Sequence, residues 1–137
     1  MESALQRLVE SRANFCCEYC RMPRSVSTTP FQIDHIIAKK HGGVTASDNL
    51  ALSCFHCNVH KGPNIAGVDP DTGATRPLFR LRRDRSSDHF ELRAVGYILA
   101  QTDIARTTLI VLNMNDPDAV SLRSCFILEG KMRSDAP

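Results

Sequence analysis

Two cysteine knuckles constrain this chain more than any other feature: Cys17-x-x-Cys20 and Cys54-x-x-Cys57, separated by 33 residues. A two-residue spacer lets both thiolates of a knuckle turn toward one ion, and structural zinc takes four ligands in a tetrahedron. The separation exceeds the usual gap between the knuckles of a zinc ribbon, so something folded must sit between them. Cys17, Cys20, Cys54 and Cys57 are therefore the expected structural Zn²⁺ ligands. Cys16 complicates the first knuckle, because Cys16-x-x-x-Cys20 is also a usable spacing; the two-residue spacer of the second knuckle favours Cys17. His56 lies inside the second knuckle, but four cysteines already complete the shell. Cys125, beside Phe126, reads as a buried small hydrophobe.

The N-terminal stretch MESALQRLVESRAN is amphipathic and carries charges within its first ten residues. It lacks the apolar run of a secretory signal, which predicts a cytoplasmic protein, and a reducing compartment favours thiol–metal bonds over disulfides. No apolar segment is long enough to cross a bilayer, so no membrane partner is expected. The formal net charge of +2 is too small to argue for a nucleic-acid partner by itself. Four thiolates around one Zn²⁺ would bring it near zero, so any electrostatic argument must rest on local clustering.

At 137 residues one compact domain with a modest appendage is expected. Residues 2–13 read as a helix with Leu5, Leu8 and Val9 on one side. Phe31 to Ile37 is β-branched and aromatic and reads as a strand. Lys39 to Asp48, with Gly42-Gly43, reads as a loop; Asn49 to Ser53 as a short second strand; and Phe55 to Lys61 as a helix broken by Gly62-Pro63. Gly67 to Gly73 is turn chemistry. From Leu78 an alternating strand is expected, with Phe79 and Leu81 inward and Arg80 and Arg82 outward. Glu91 to Leu99 suggests more strand, interrupted at Gly96. Thr102 to Asn113 is a helix, and a last helix runs from the Asp116 cap through Pro117 to a stop at Gly130.

Between the knuckles lies Ile33-Asp34-His35-Ile36-Ile37. On a strand, Asp34 and His35 point to opposite faces. A carboxylate such as Asp34 can supply a hard oxygen ligand to Mg²⁺, and an imidazole such as that of His35 can take a proton from water near neutral pH. The dipeptide alone carries little weight, since Asp88-His89 repeats it. Context changes that. Asp34-His35-Ile36, Gly42-Gly43, Asp48-Asn49-Leu50 and Cys54-x-x-Cys57-Asn58-x-x-Lys61, in this order and spacing, closely resemble the pattern of HNH endonucleases. The resemblance covers about residues 12–65 strongly. It continues in outline through Gly67-Val68-Asp69-Pro70, Asp88-His89-Phe90 and Asn113-Met114-Asn115-Asp116-Pro117, which look like the C-terminal extension of one bacterial subfamily.

The resemblance implies that His35 is the general base, Asp34 a ligand of a catalytic Mg²⁺ or Mn²⁺, and Asn49 the central asparagine that pins the inter-strand loop and orients the histidine. Asn58 matches the position of the second catalytic-metal ligand. His60, four residues after His56 on the same helix, is the alternative; an amide oxygen suits Mg²⁺ better than an imidazole does, which favours Asn58. Lys61 is expected either to hold a phosphate oxygen or simply to end the helix in solvent. Arg80 and Arg82, within the run Arg76, Arg80, Arg82, Arg83, Arg85, are candidate substrate contacts, or else the charged guard of a strand edge. Lys39-Lys40-His41 forms a smaller basic patch.

The expected fold is α+β: a zinc-stapled ββα-metal (HNH) core over residues 1–65, carrying an N-terminal helix, and a strand and helix extension over residues 66–137 packed on it as part of one domain. The expected function is hydrolysis of phosphodiester bonds in nucleic acid, DNA favoured over RNA, with the oligomeric state open. A non-catalytic zinc module binding nucleic acid or a protein is the rival class, and a thiol redox protein a third.

Overall fold

The computed structural model describes residues 3–132. They form two compact units: one runs to Ile65 and takes in Arg80–Arg82, and the other comprises Ala66–Phe79 and the chain from Arg83 onward. Residue 2, where the first helix was expected to begin, lies outside the described residues. Helix and strand are mixed as expected, the strands pairing into three two-stranded antiparallel sheets.

The first unit opens with α1 (Ala4–Arg12), capped by Ser3, whose hydroxyl accepts the Gln6 N–H. Strand β1 (Gln32–His35) pairs with β2 (Leu50–Ser53) in the register Asp34↔Ala51 and His35↔Leu50. Helix α2 (Phe55–Lys61) follows directly, over the residues the sequence predicts. β1 is shorter than the predicted Phe31–Ile37. At Ile37 a side chain replaces the ladder: Asn49 Oδ1 accepts the Ile37 N–H at 2.9 Å, and Asn49 Nδ2 donates to the Ile37 carbonyl at 3.0 Å. The core of this unit is Val9, Leu50 and Leu52, with Leu5, Ala13, Phe31 and Ile33 against it. At about 1.5–3 kcal/mol per buried aliphatic side chain, so few residues hold only a marginal domain.

A two-stranded sheet leaves outer edges, and β2 has its edge covered by polar groups. Glu18, inside the first knuckle, donates its N–H to the Leu52 carbonyl and accepts the Leu52 N–H on Oε2, both at 2.9 Å. The Leu50 carbonyl accepts from Arg12 Nη2 at 2.8 Å and from Arg82 Nη2 at 2.7 Å. Arg82 also forms a forked pair with the Glu18 carboxylate, at 2.8 and 3.0 Å. Burial lowers the Arg12 pKa, with Arg82 beside it adding to the effect.

The second unit contains the hairpin β3 (Ala66–Val68) and β4 (Thr75–Pro77), the single turn α3 (Ser86–His89), and the hairpin β5 (Phe90–Leu92) and β6 (Ile98–Ala100). Helices α4 (Asp103–Val111), capped by Thr102, and α5 (Pro117–Leu128), capped by Asp116, close it. The predicted turn at Gly67–Gly73 sits in the first hairpin. Gly67 itself is in β3, where a Cβ would press on Val111 and Thr107 of α4. The strand expected from Leu78 does not form. Leu78 and Phe79 are both buried, which breaks the alternation, and the Phe79 N–H donates to Thr108 Oγ1 at 2.8 Å rather than to a strand. Cys125, expected to be buried, is exposed. Arg123 fills the interior instead: its Nε donates to the Gly96 carbonyl at 2.7 Å and its Nη2 to the Met114 carbonyl at 2.6 Å.

The first hairpin is tied to α4 by charge. Asp69 takes a forked pair from Arg106, at 2.9 and 2.8 Å, plus the Asp71 N–H and the Thr72 hydroxyl. The Arg106 bonds hold the Asp69 carboxyl far below the ordinary range. A depressed carboxylate contributes stability that is present above its unfolded pKa, about 3.9, and is lost as pH falls toward the lower folded value. Asp69→Asn should therefore lower the melting temperature near neutral pH by more than about 5 °C. It should also flatten the loss of stability below about pH 4, followed through the amide signals of the Ala66–Val68 hairpin.

Candidate metal centre and active site

The knuckles meet. Cys17, Cys20, Cys54 and Cys57 are all buried, and their sulfurs lie within 4.8 Å of one another. Cys20 Sγ and Cys54 Sγ are 3.7 Å apart. Sulfurs at the corners of a tetrahedron, each about 2.3 Å from a zinc, would sit about 3.8 Å from each other. Each knuckle is shaped by an N–H to sulfur bond, Cys20 N–H to Cys17 Sγ at 3.5 Å and Cys57 N–H to Cys54 Sγ at 3.4 Å. The second of these makes Cys54 the N-cap of α2, so one residue starts the helix and presents a thiol. Burial pushes the Cys17 thiol up, yet hydrogen bonds from the other three outweigh it and pull it well below the ordinary range. Cys20 is driven up, first by its bond to Cys17. Cys16 stands outside the cluster, its thiol donating to the Asn14 carbonyl at 3.4 Å. These are four thiols positioned for one metal ion, with the chemistry of a zinc site.

The clamp carries a polar cluster on β1. Asp34 is buried, and its Oδ2 accepts from the Tyr19 hydroxyl at 2.9 Å and from Lys61 Nζ at 3.1 Å. Burial raises the Asp34 pKa, while Lys61 and Tyr19 oppose the rise. The Tyr19 hydroxyl is pushed well up by burial and by the neighbouring Asp34. His35, on the other face of β1, is half-buried, and its Nε2 lies 2.9 Å from Thr45 Oγ1. Between them runs the loop that Asn49 holds, with a third bond from Nδ2 to the Val44 carbonyl at 2.8 Å. Gly43 must be glycine there, since a Cβ would collide with the Ile37 carbonyl.

The side chains expected on substrate phosphates are used differently. Lys61 is not a solvent-facing lysine. It is 3% exposed, and besides Asp34 it donates to the carbonyls of His35 and Ile36 at 3.2 and 3.1 Å. An ammonium has three protons, and these three acceptors take them all. Arg82 forms no outward edge with Arg80, because the predicted strand is absent and Glu18 and Leu50 hold its guanidinium. Arg80 is exposed. Asn58 is half-buried on α2; three residues before Lys61, it shares the helix face from which Lys61 reaches Asp34. His60 is exposed, with Nδ1 2.8 Å from the His56 carbonyl and its ring 4.2 Å from that of His56.

Three contributors escaped the sequence reading: Tyr19, Glu18 and Thr45. Tyr19 and Glu18 stand inside the first knuckle, in the spacer usually taken as filler. Their signal is only that a large aromatic and a carboxylate occupy a turn that hydrogen-bonds to β2.

An antiparallel hairpin followed by a helix, stapled by four cysteines and carrying an aspartate–histidine pair at the end of its first strand, defines a ββα metal-binding unit. Residues 17–64 match the family model described as HNH endonuclease. That segment is similar to the HNH domain of a nuclease-type family. Neither the curated proteins nor the solved structures give a match to the chain. Among the described residues, no helix is long and apolar enough to cross a membrane.

Metal removal is the direct test of the clamp. Structural zinc contributes on the order of 10–16 kcal/mol in small domains, comparable with a whole domain's stability. Chelation, or Cys54→Ser, should take bound zinc from one per chain to near none and unfold the hairpin and α2. Loss of dispersed amide signals from Gln32–His35 would report it. Lys61→Met should leave Asp34 buried without its cation and destabilise this unit by about 3–5 kcal/mol in denaturant titration, while zinc content stays at one per chain.

Proposed function

We propose that this protein is a divalent-metal-dependent endonuclease that hydrolyses phosphodiester bonds, with DNA as its substrate. The observation that carries the reading is the reach of Lys61 to Asp34, which ties the helix bearing Asn58 to the strand bearing the aspartate. The donor set fits a hard cation. Both bonds to Asp34 fall on Oδ2, so Oδ1 accepts from neither Tyr19 nor Lys61. An amide oxygen from Asn58 would complete a carboxylate–carbonyl pair of the kind Mg²⁺ or Mn²⁺ accepts. Bound there, the ion would supply stabilisation of the charge that develops on the phosphate and the leaving oxygen.

The chain's own groups account for the rest. His35 takes a proton from a water molecule, whose oxygen attacks phosphorus as the opposite P–O bond breaks. Tyr19 and Lys61 hold the Asp34 carboxylate in one orientation. Asn49 fixes the loop beside the histidine. Lys39, Lys40 and His41 are exposed on the same loop and offer positive charge to the approaching backbone. Arg80 stays in this group as a candidate phosphate contact; Lys61 and Arg82 become internal supports.

The test is supercoiled plasmid and a matched RNA incubated with the full chain and Mg²⁺ or Mn²⁺. Cleavage of the plasmid is expected, and His35→Ala should lower the rate by at least about 100-fold with zinc still at one per chain. A chain that binds nucleic acid and cleaves nothing with either ion would favour the rival reading of a zinc-built binding module. Preferential cleavage of the RNA would move the substrate, not the chemistry.

A further inference from the structure

Resting on the nuclease reading of His35, we propose that Thr45 is the positioning residue of that histidine. Its Oγ1 accepts the Nε2–H, holds the ring, and leaves Nδ1 as the nitrogen that receives the proton from water. The 2.9 Å contact between Nε2 and Thr45 Oγ1 joins the two side chains, and among the described residues no protein group bonds Nδ1. Asn49 does not touch the imidazole: its side chain is committed to Ile37 and Val44, and its carbonyl accepts the Ile36 N–H at 2.8 Å. The role expected of Asn49 alone is thus divided. Asn49 holds the loop, and Thr45 holds the ring.

The loop is built to place that hydroxyl. Gly43 is pressed against the backbone at Ile37, with its N–H donating to the Ala38 carbonyl at 3.0 Å. Asn49 Nδ2 holds the Val44 carbonyl, which belongs to the peptide plane leading into Thr45. Val44 points its side chain outward, 62% exposed, so packing does not position the segment; these hydrogen bonds do. A β-branched residue then restricts χ1, which narrows where Oγ1 can lie. Thr45 is itself exposed, so its bond to His35 adds little to folding, and its consequence is the direction of the imidazole. In the other tautomer, Nε2 would accept from the hydroxyl and Nδ1 would carry the proton, unable to act as base.

The experiment uses the full zinc-bound chain labelled with ¹⁵N, at mildly alkaline pH. Long-range ¹H–¹⁵N spectra should show His35 as the Nε2–H tautomer. Thr45→Val, which keeps the branch and loses the oxygen, should mix the tautomers, and Thr45→Ser should restore the bias. In plasmid cleavage Thr45→Val should lower kcat by about 10- to 100-fold with KM little changed, and Thr45→Ser should recover most of it. An Nδ1–H tautomer in the unaltered chain, or a Thr45→Val variant with unchanged tautomer and kcat, would overturn the assignment. An unaltered chain that cleaves nothing would overturn the nuclease reading, and with it the catalytic purpose of Thr45. The spectra would still decide the bond between the two residues.

Discussion

Four thiols gathered around one point hold the N-terminal unit together, and nearly everything else in it depends on that gathering. A two-stranded sheet is marginal alone in water, and a seven-residue helix is shorter than an isolated helix can sustain. The aliphatic core adds only a few side chains. The knuckles bring the segment before β1 and the segment after β2 to the same place, so the hairpin between them is closed at its base. Cys54 serves twice, as a member of the thiol cluster and as the cap that starts α2, so a metal held by the cluster would be coupled to the position of the helix. That helix in turn delivers Lys61 and the face carrying Asn58 to β1.

Several charged side chains of this molecule are turned inward. Glu18 copies a strand's hydrogen bonding along the outer edge of β2, and Arg82 and Arg12 finish the job at the Leu50 carbonyl. An exposed edge of that length would invite pairing with another chain. Lys61 works the same way on the β1 side of the hairpin. It neutralises a buried aspartate and saturates two carbonyls at the strand end where the histidine sits. In the C-terminal unit, Arg123 and the Asp69–Arg106 pair tie turns to helices. Within the basic run, Arg82 is held by Glu18 and the Leu50 carbonyl and Arg76 pairs with Asp103, whereas Arg80, Arg83 and Arg85 are exposed.

The residues of the site were legible because their chemistry is tied to spacing along the chain. Cysteines with a two-residue spacer can turn toward one ion, and an aspartate–histidine pair on a strand must face opposite ways, so each knuckle and the Asp34–His35 arrangement follow from local geometry. The last helix was legible from its Asp116 cap, and the structure shows Cys54 and Thr102 capping α2 and α4 in the same way. Leu78 to Arg83 misled, because alternation predicts a strand only when a partner strand is available. Here the Phe79 N–H is taken by the Thr108 hydroxyl and the arginine is taken by Glu18.

By itself, the sequence determined the metal clamp, the order hairpin then helix, and the pairing of a carboxylate with an imidazole at one strand end. Each is announced by a local pattern, a two-residue spacer within a knuckle or neighbouring positions on a strand, where covalent geometry leaves few choices. Tertiary structure alone decided what each charged or hydroxyl group touches. Tyr19 and Lys61 converge on Asp34 from 15 and 27 positions away, Arg82 reaches Glu18 across 64, and Thr45 meets His35 only after Asn49 folds the loop back. A long polar side chain has no preferred partner until burial removes water from its reach. Which buried acceptor then takes each proton is a property of packing, and no local pattern carries it.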